Sequence, residues 1–144
     1  MQAQFEGYAE AIQTAVLAMP AARTLKLKFT DIQPGRVELE IPYQDDFSFR
    51  PGQLQATSIF AAGDFAAVAA AGTLLPNGWI NATIDCTLKI VGPADGDKLV
   101  ARGRVIKPGK LVTFSSAEIF SSRNGSEALC AVLLATARNI GPAQ

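Results

Sequence analysis

The stretch FRPGQLQATSIFAAGDFAAVAAAGTLLP, residues 49–76, limits the possible folds of this chain more than any other segment. Pro51 and Gly52 stand before its apolar run, and Gly72 and Pro76 follow it, so the spacing predicts a helix from about residue 55 to about residue 71. Apolar residues go almost all the way round that helix. A helix without a polar face has to be covered on every side. At about 1.5 Å per residue it would reach roughly 27 Å, long enough to raise the membrane question. Alanine and glycine dominate it, however, and an acid at its centre, Asp64, would cost about 2.5–3.5 kcal/mol on insertion scales. The expected cover is therefore protein. Asp64 itself then needs a partner, because an unpaired acid is expensive to desolvate.

The rest of the chain supplies the wrapping. Phe5, Tyr8, Ala9, Ile12 and Val16 form one apolar stripe at helical spacing, on a helix that Pro20 is expected to end. Leu25, Leu27 and Phe29 then alternate with Lys26 and Lys28; after the turn signal QPG, Val37, Leu39 and Ile41 alternate with Arg36, Glu38 and Glu40. These two runs predict a hairpin with one wet face. Past the long helix, residues 79–91, 97–107, 111–122 and 128–140 read as four strands separated by GPADG, PGK and RNGS turns. Four strands in succession predict an antiparallel meander, and the class is α+β with one strongly curved sheet packed on one helix. ALCAVLLATA is apolar on both faces, so both of its sides are expected to be covered, and the back of the sheet becomes a candidate subunit interface.

Composition removes several functions. Thirteen Lys and Arg balance 13 Asp and Glu in 144 residues, which gives no basic footprint for nucleic acid and fits a single domain spanning 1–144. The chain contains no histidine, so histidine-dependent triads and histidine-ligated metals are excluded. Catalysis has to use carboxylates, amides, hydroxyls or backbone groups. Cys86 and Cys130 lie in apolar strand segments and are expected to be buried core thiols in a reducing compartment. The first residues carry Glu6 and Glu10 and no positive n-region, so the expected location is cytoplasmic, without secretion.

The order helix, two strands, long helix, four strands, together with FRPGQLQATSIFAAGD and ATIDCTLKIVGPADGDKLVARGRVIKPGKLVTFSSAEIF, resembles the hotdog-fold acyl-CoA thioesterases of the phenylacetate-pathway and thioesterase-superfamily-member-2-like branch. The resemblance covers nearly the whole chain. Family members typically read Asn-x-x-Gly-x-Leu-His-Gly-Gly, with an acid nine residues after the histidine; Gly52, Leu54 and Asp64 match that pattern here. Phe49 stands where the family has asparagine, Gln55 where it has histidine, and Ala56 and Thr57 where it has two glycines.

The resemblance implies a curved antiparallel sheet wrapped around one long central helix. It also implies a homodimer or homotetramer that hydrolyses an acyl-CoA with no cofactor beyond the coenzyme A moiety of the substrate. Asp64 takes the role of nucleophile or general base, the Ala56 N–H that of oxyanion donor beside Gln55, and Thr83 that of an orienting hydroxyl. Gly109 and Lys110 occupy a turn that in relatives meets the nucleotide end of coenzyme A, where a lysine serves as a point charge. Each residue also has a plainer reading: a buried acid bonded to backbone, a residue in the cap region, a strand threonine, a solvated turn lysine. Arg102 and Arg104 carry the same two readings as Lys110. The rival function is a hotdog protein that binds an acyl-CoA without turning it over. Dehydration of a hydroxyacyl thioester is a poorer third reading, since hotdog dehydratases generally rely on a histidine.

Overall fold

A computed structural model describes residues 1–143 of the chain. Helix α1 (Tyr8–Leu17) and the short α2 (Pro20–Thr24) precede a hairpin of β1 (Lys28–Gln33) and β2 (Arg36–Pro42). A small pair, β3 (Ser48–Arg50) and β4 (Gln53–Leu54), leads into the long helix α3 (Ala56–Gly72). Four strands complete the chain: β5 (Ile80–Ile90), β6 (Lys98–Lys107), β7 (Val112–Arg123) and β8 (Ser126–Ile140). Six of the strands form one sheet in the order β1-β2-β6-β7-β8-β5, antiparallel throughout.

The sheet curves around α3, and the small residues of that helix explain how closely it fits. Ala62, Ala66, Ala67, Ala70 and Ala71 are fully buried. A methyl group on Gly103 of β6 would lie 2.1 Å from the Ala66 carbonyl oxygen, so the strand rests directly on the helix backbone. The sheet contributes one face of larger side chains to the same core: Val37, Leu39 and Ile41 from β2, Leu99 from β6, Ile119 from β7 and Leu133 from β8. No helix of the described residues is long and apolar enough to cross a membrane.

The structure departs from the expected meander at β5. Strands β6, β7 and β8 are sequential neighbours, but β5 pairs with β8 at the far side while β2 pairs with β6. Loop length explains the difference, because the turns before β7 and β8 are tight hairpin connections and residues 91–97 form a longer one. That longer connection passes the start of α3, where the Leu54 N–H donates to the Ala94 carbonyl at 3.0 Å. β8 also differs from expectation. Its inward residues are buried, but Leu129, Val132 and Leu134 are exposed, so within the chain only one of its faces is covered. Pro20 does not simply end a helix; it occupies the first turn of α2, where its missing N–H costs nothing. Lys26 adopts a left-handed backbone (φ 55°), which delays the first strand to Lys28.

Candidate functional site

Two groups of predicted site residues lie on α3, and they are held by different means. At the helix start, Gln55 is the N-cap in extended conformation (φ −78°, ψ 155°). Its side-chain Oε1 accepts the Thr57 N–H at 2.6 Å and also the Thr57 hydroxyl. The Gln55 N–H donates to the Phe47 carbonyl at 2.9 Å, which ties the helix start to the loop before it. Among the described residues, no acceptor is bonded to the Ala56 N–H, and Ala56 is exposed. A free amide at a helix start is an anion-binding group by geometry and by dipole. Phe49, Ile59, Ile90 and Pro93 join Gln55 and Ala56 in lining a shallow cavity of about 300 Å³.

The second group sits two turns further on. Asp64 is half-buried, and its Oδ1 accepts the Thr83 hydroxyl at 2.7 Å. The Cys86 thiol donates to the same oxygen at 3.6 Å. Among the described residues, Oδ2 has no hydrogen-bond partner. In a regular strand, positions 83 and 86 would point to opposite faces. A β-bulge between Thr83 and Asp85 inserts the extra residue Ile84 and brings both side chains round to Asp64. Burial first, and then the Asp64 charge, push the Cys86 thiol up to about 12, so at neutral pH it keeps its proton and donates. This corrects the expectation that Cys86 is a core thiol like Cys130. Cys130 is fully buried, whereas Cys86 belongs to the Asp64 cluster.

Asp64 and Thr83 open onto a cavity of about 710 Å³, walled by α1, α3 and the start of β5. Its lining also includes Tyr8, read from the sequence only as part of an apolar stripe, and Phe65, Trp79 and Asn81, which the sequence did not single out. Asn81 is fixed there by its Nδ2, which donates to the Val68 carbonyl at 3.0 Å.

The Gly109-Lys110 turn borders a neighbouring cavity of about 440 Å³, which shares Leu75, Pro76 and Trp79 with the first. Glycine is required at 109, since a methyl group there would meet the Val112 carbonyl oxygen at 2.3 Å. The Gly109 carbonyl is held by Asn139 Nδ2 at 2.8 Å, and Lys110 is exposed. Arg102 takes the plainer of its two readings. It pairs with Glu38 and Glu127, each at 2.7 Å, and stacks 4.8 Å from the Phe120 ring centre. Ala56 and Asp64 do not meet within the chain, being separated by about 12 Å along the helix at about 1.5 Å per residue.

An antiparallel sheet curved around one helix is the hotdog arrangement, and its neighbours among solved structures include thioesterase-family proteins. A thioesterase family protein from Silicibacter pomeroyi superposes with a TM-score of 0.91 at 29% identity, covering 94% of this chain and 100% of that one. A thioesterase from Haemophilus influenzae superposes with a TM-score of 0.80 at 18% identity, over 96% and 93% of the two chains. The PaaI protein of the E. coli phenylacetic acid degradation operon gives 0.79 at 19%, over 93% and 91%. No protein-family profile and no curated protein matches the chain.

Proposed function

We propose that the protein is an acyl-CoA thioesterase whose Asp64 carboxylate attacks the thioester or deprotonates the attacking water. The observation that carries this reading is the cluster at Asp64. One carboxylate oxygen is held by Thr83 and Cys86 while the other is free beside a cavity. A carboxylate fixed through one oxygen and open at the other is positioned as a base or nucleophile.

The oxyanion donor is the Ala56 N–H of a second protomer. Strand β5 forms a sheet edge on which Ile80, Ile84, Ile90 and Val91 are exposed, and an uncovered apolar edge favours pairing with another copy. Antiparallel pairing of two such edges sets the α3 helices side by side in opposite directions. The start of one helix then approaches the middle of the other. Hydrolysis balances simply: water adds its hydroxyl to the acyl carbon, the carbon–sulfur bond breaks, and the thiolate leaves and takes the proton. Lys110 supplies a point charge for the phosphates of the coenzyme A moiety.

A hydrolysis screen across aliphatic and aromatic acyl-CoAs tests the activity, and mixed dimers test the shared site. Ala56→Pro removes the N–H at a position where proline suits the helix start, and the extended Gln55 before it tolerates a proline neighbour. Ala56→Pro and Asp64→Asn homodimers are each expected to lose activity. Refolded together, they regain about a quarter of the wild-type rate, because half of the molecules then carry one intact site. A mixture as inactive as its parts would rule out the shared site. A wild type that hydrolyses none of the thioesters, yet binds them, would leave the non-catalytic binder.

A further inference from the structure

The large cavity beside Asp64 is elongated. From Asp64 through Val68 to Gly72 it follows one face of α3 for about 12 Å at about 1.5 Å per residue. Helix α1 covers this slot with the stripe Tyr8, Ile12 and Val16. Of the residues of α1 only Val16 is buried; Ile12 is half-buried against the core, and Tyr8 lines the slot beyond them. Asp64 and Thr83 stand at one end; Asn81, whose amide nitrogen is engaged by the Val68 carbonyl, lies beside Gly72 at the other, Asn77 also lines the cavity, and most of the remaining walls are apolar. At Gly72 the slot narrows, because Ile12 Cδ1 occupies the place a methyl group would need, 2.6 Å from where it would lie.

We infer that this slot binds an unbranched hydrocarbon chain of about ten carbons, its polar end at Asp64 and its reach set by Ile12 over Gly72. The chain length follows from the 12 Å run, since an extended chain of about 1.5 Å carbon–carbon bonds advances roughly 1.3 Å per methylene. Hydrocarbon fits these walls better than the pantetheine arm, whose two amides would be left short of partners. An aryl group would fill only the near end. The identity of the polar end as a thioester rests on the thioesterase reading; the slot itself does not. One consequence concerns Lys110. Its turn lies beyond the far end of the slot, past Leu75 and Trp79, so the phosphates it meets belong to a ligand seated at another protomer's Asp64.

The test uses S-alkyl-coenzyme A thioethers from butyl to hexadecyl, which cannot be hydrolysed, with binding measured by calorimetry on the full-length protein. Affinity is expected to rise about threefold to fourfold per methylene and to level off near decyl. Ile12→Ala removes the narrowing and moves the plateau toward tetradecyl, whereas Val68→Phe blocks the slot from its midpoint onward and moves it toward hexyl. A variant that merely loosens the fold would weaken all lengths alike. Affinity independent of length, plateaus that fail to move in opposite directions, or a phenylethyl thioether bound more tightly than decyl would overturn the slot. A length ladder without turnover of the matching acyl-CoAs would keep the slot and remove the hydrolase; turnover without a ladder would do the reverse.

Discussion

The start of α3 and its middle make an instructive contrast. At the start, the group proposed to act is a backbone amide, held by a cap and by loop hydrogen bonds, and the side chain at that position is exposed. In the middle the group proposed to act is a side chain, held by two others from a strand that the chain reaches only after a further turn. The first kind of site tolerates substitution, because glycine, alanine and even glutamine neighbours leave an N–H in place. The second kind tolerates little, because each partner is a specific atom at a specific distance. Ala56 and Thr57, where the resembled pattern has two glycines, therefore fall in the forgiving region, while Asp64 and Thr83 lie in the strict one.

The contrast is sharpest for Asp64. Asp64→Asn is nearly isosteric, and its amide can still accept the Thr83 hydroxyl, so the fold and thioester binding are expected to survive. Turnover should fall by about a hundredfold to ten-thousandfold, the range for loss of a general base. Single-turnover kinetics on the best acyl-CoA from the screen measures this directly. Full activity in the variant would leave Asp64 a structural acid.

A smaller loss follows from Thr83→Val, which keeps the shape and removes the hydroxyl. Thr83 is exposed in the protomer, so the melting temperature should barely change. With one bond to the carboxylate lost, kcat should drop by about tenfold to a hundredfold, the equivalent of one hydrogen bond to a charged group, with KM little altered. A fall in KM-type binding alone would make Thr83 a wall of the cavity and nothing more.

Much of this molecule is written in local patterns. The apolar run with Pro-Gly before it and Gly and Pro after it defines α3 to within one residue at each end. Alternation in residues 37–41 defines the buried face of β2. What remained hidden depends on pairing between distant segments. Period-two alternation places residues 83 and 86 on opposite faces, and only the register of β5 against β8 shows that a bulge unites them, so Cys86 read as core. The side of the sheet that β5 joins is likewise a property of the residue 91–97 connection and not of β5. The stripe on α1 was legible as apolar, but the empty space it faces depends on where α1 settles on α3. Gln55 was legible as a cap-region residue, and the structure makes it the N-cap although glutamine is not among the usual N-cap residues.

The thiol offers a way to check the middle region in solution. In a Cys130→Ser background, alkylation by iodoacetamide at pH 8 should be slow, because Cys86 is pushed up to about 12 and its thiolate is scarce well below that value. Burial, the larger cause, persists in Asp64→Asn, but the neighbouring charge is gone, so the thiol value falls and more thiolate is present at the same pH. The sign is thus an acceleration, by up to about tenfold for one unit of pKa. An unchanged rate would mean that the carboxylate does not sit beside the thiol.

The smallest effect is expected at the start of the helix. Gln55→Ala deletes the Oε1 that receives the Thr57 N–H and hydroxyl. Loss of such a cap costs about 0.5–2 kcal/mol, which for a chain of this size lowers the melting temperature by a few degrees. Turnover is expected to change less than about threefold, since the Ala56 N–H remains and the N–H of Thr57 can turn to water. The comparison with Ala56→Pro is decisive: that variant keeps the Gln55 cap and the helix start but should lose about a hundredfold to a thousandfold in rate, the usual cost of one oxyanion donor. If the two results were exchanged, with Gln55→Ala inactive and Ala56→Pro active, the free amide of the Gln55 side chain would be the donor. The start of α3 would then be as strict a region as its middle.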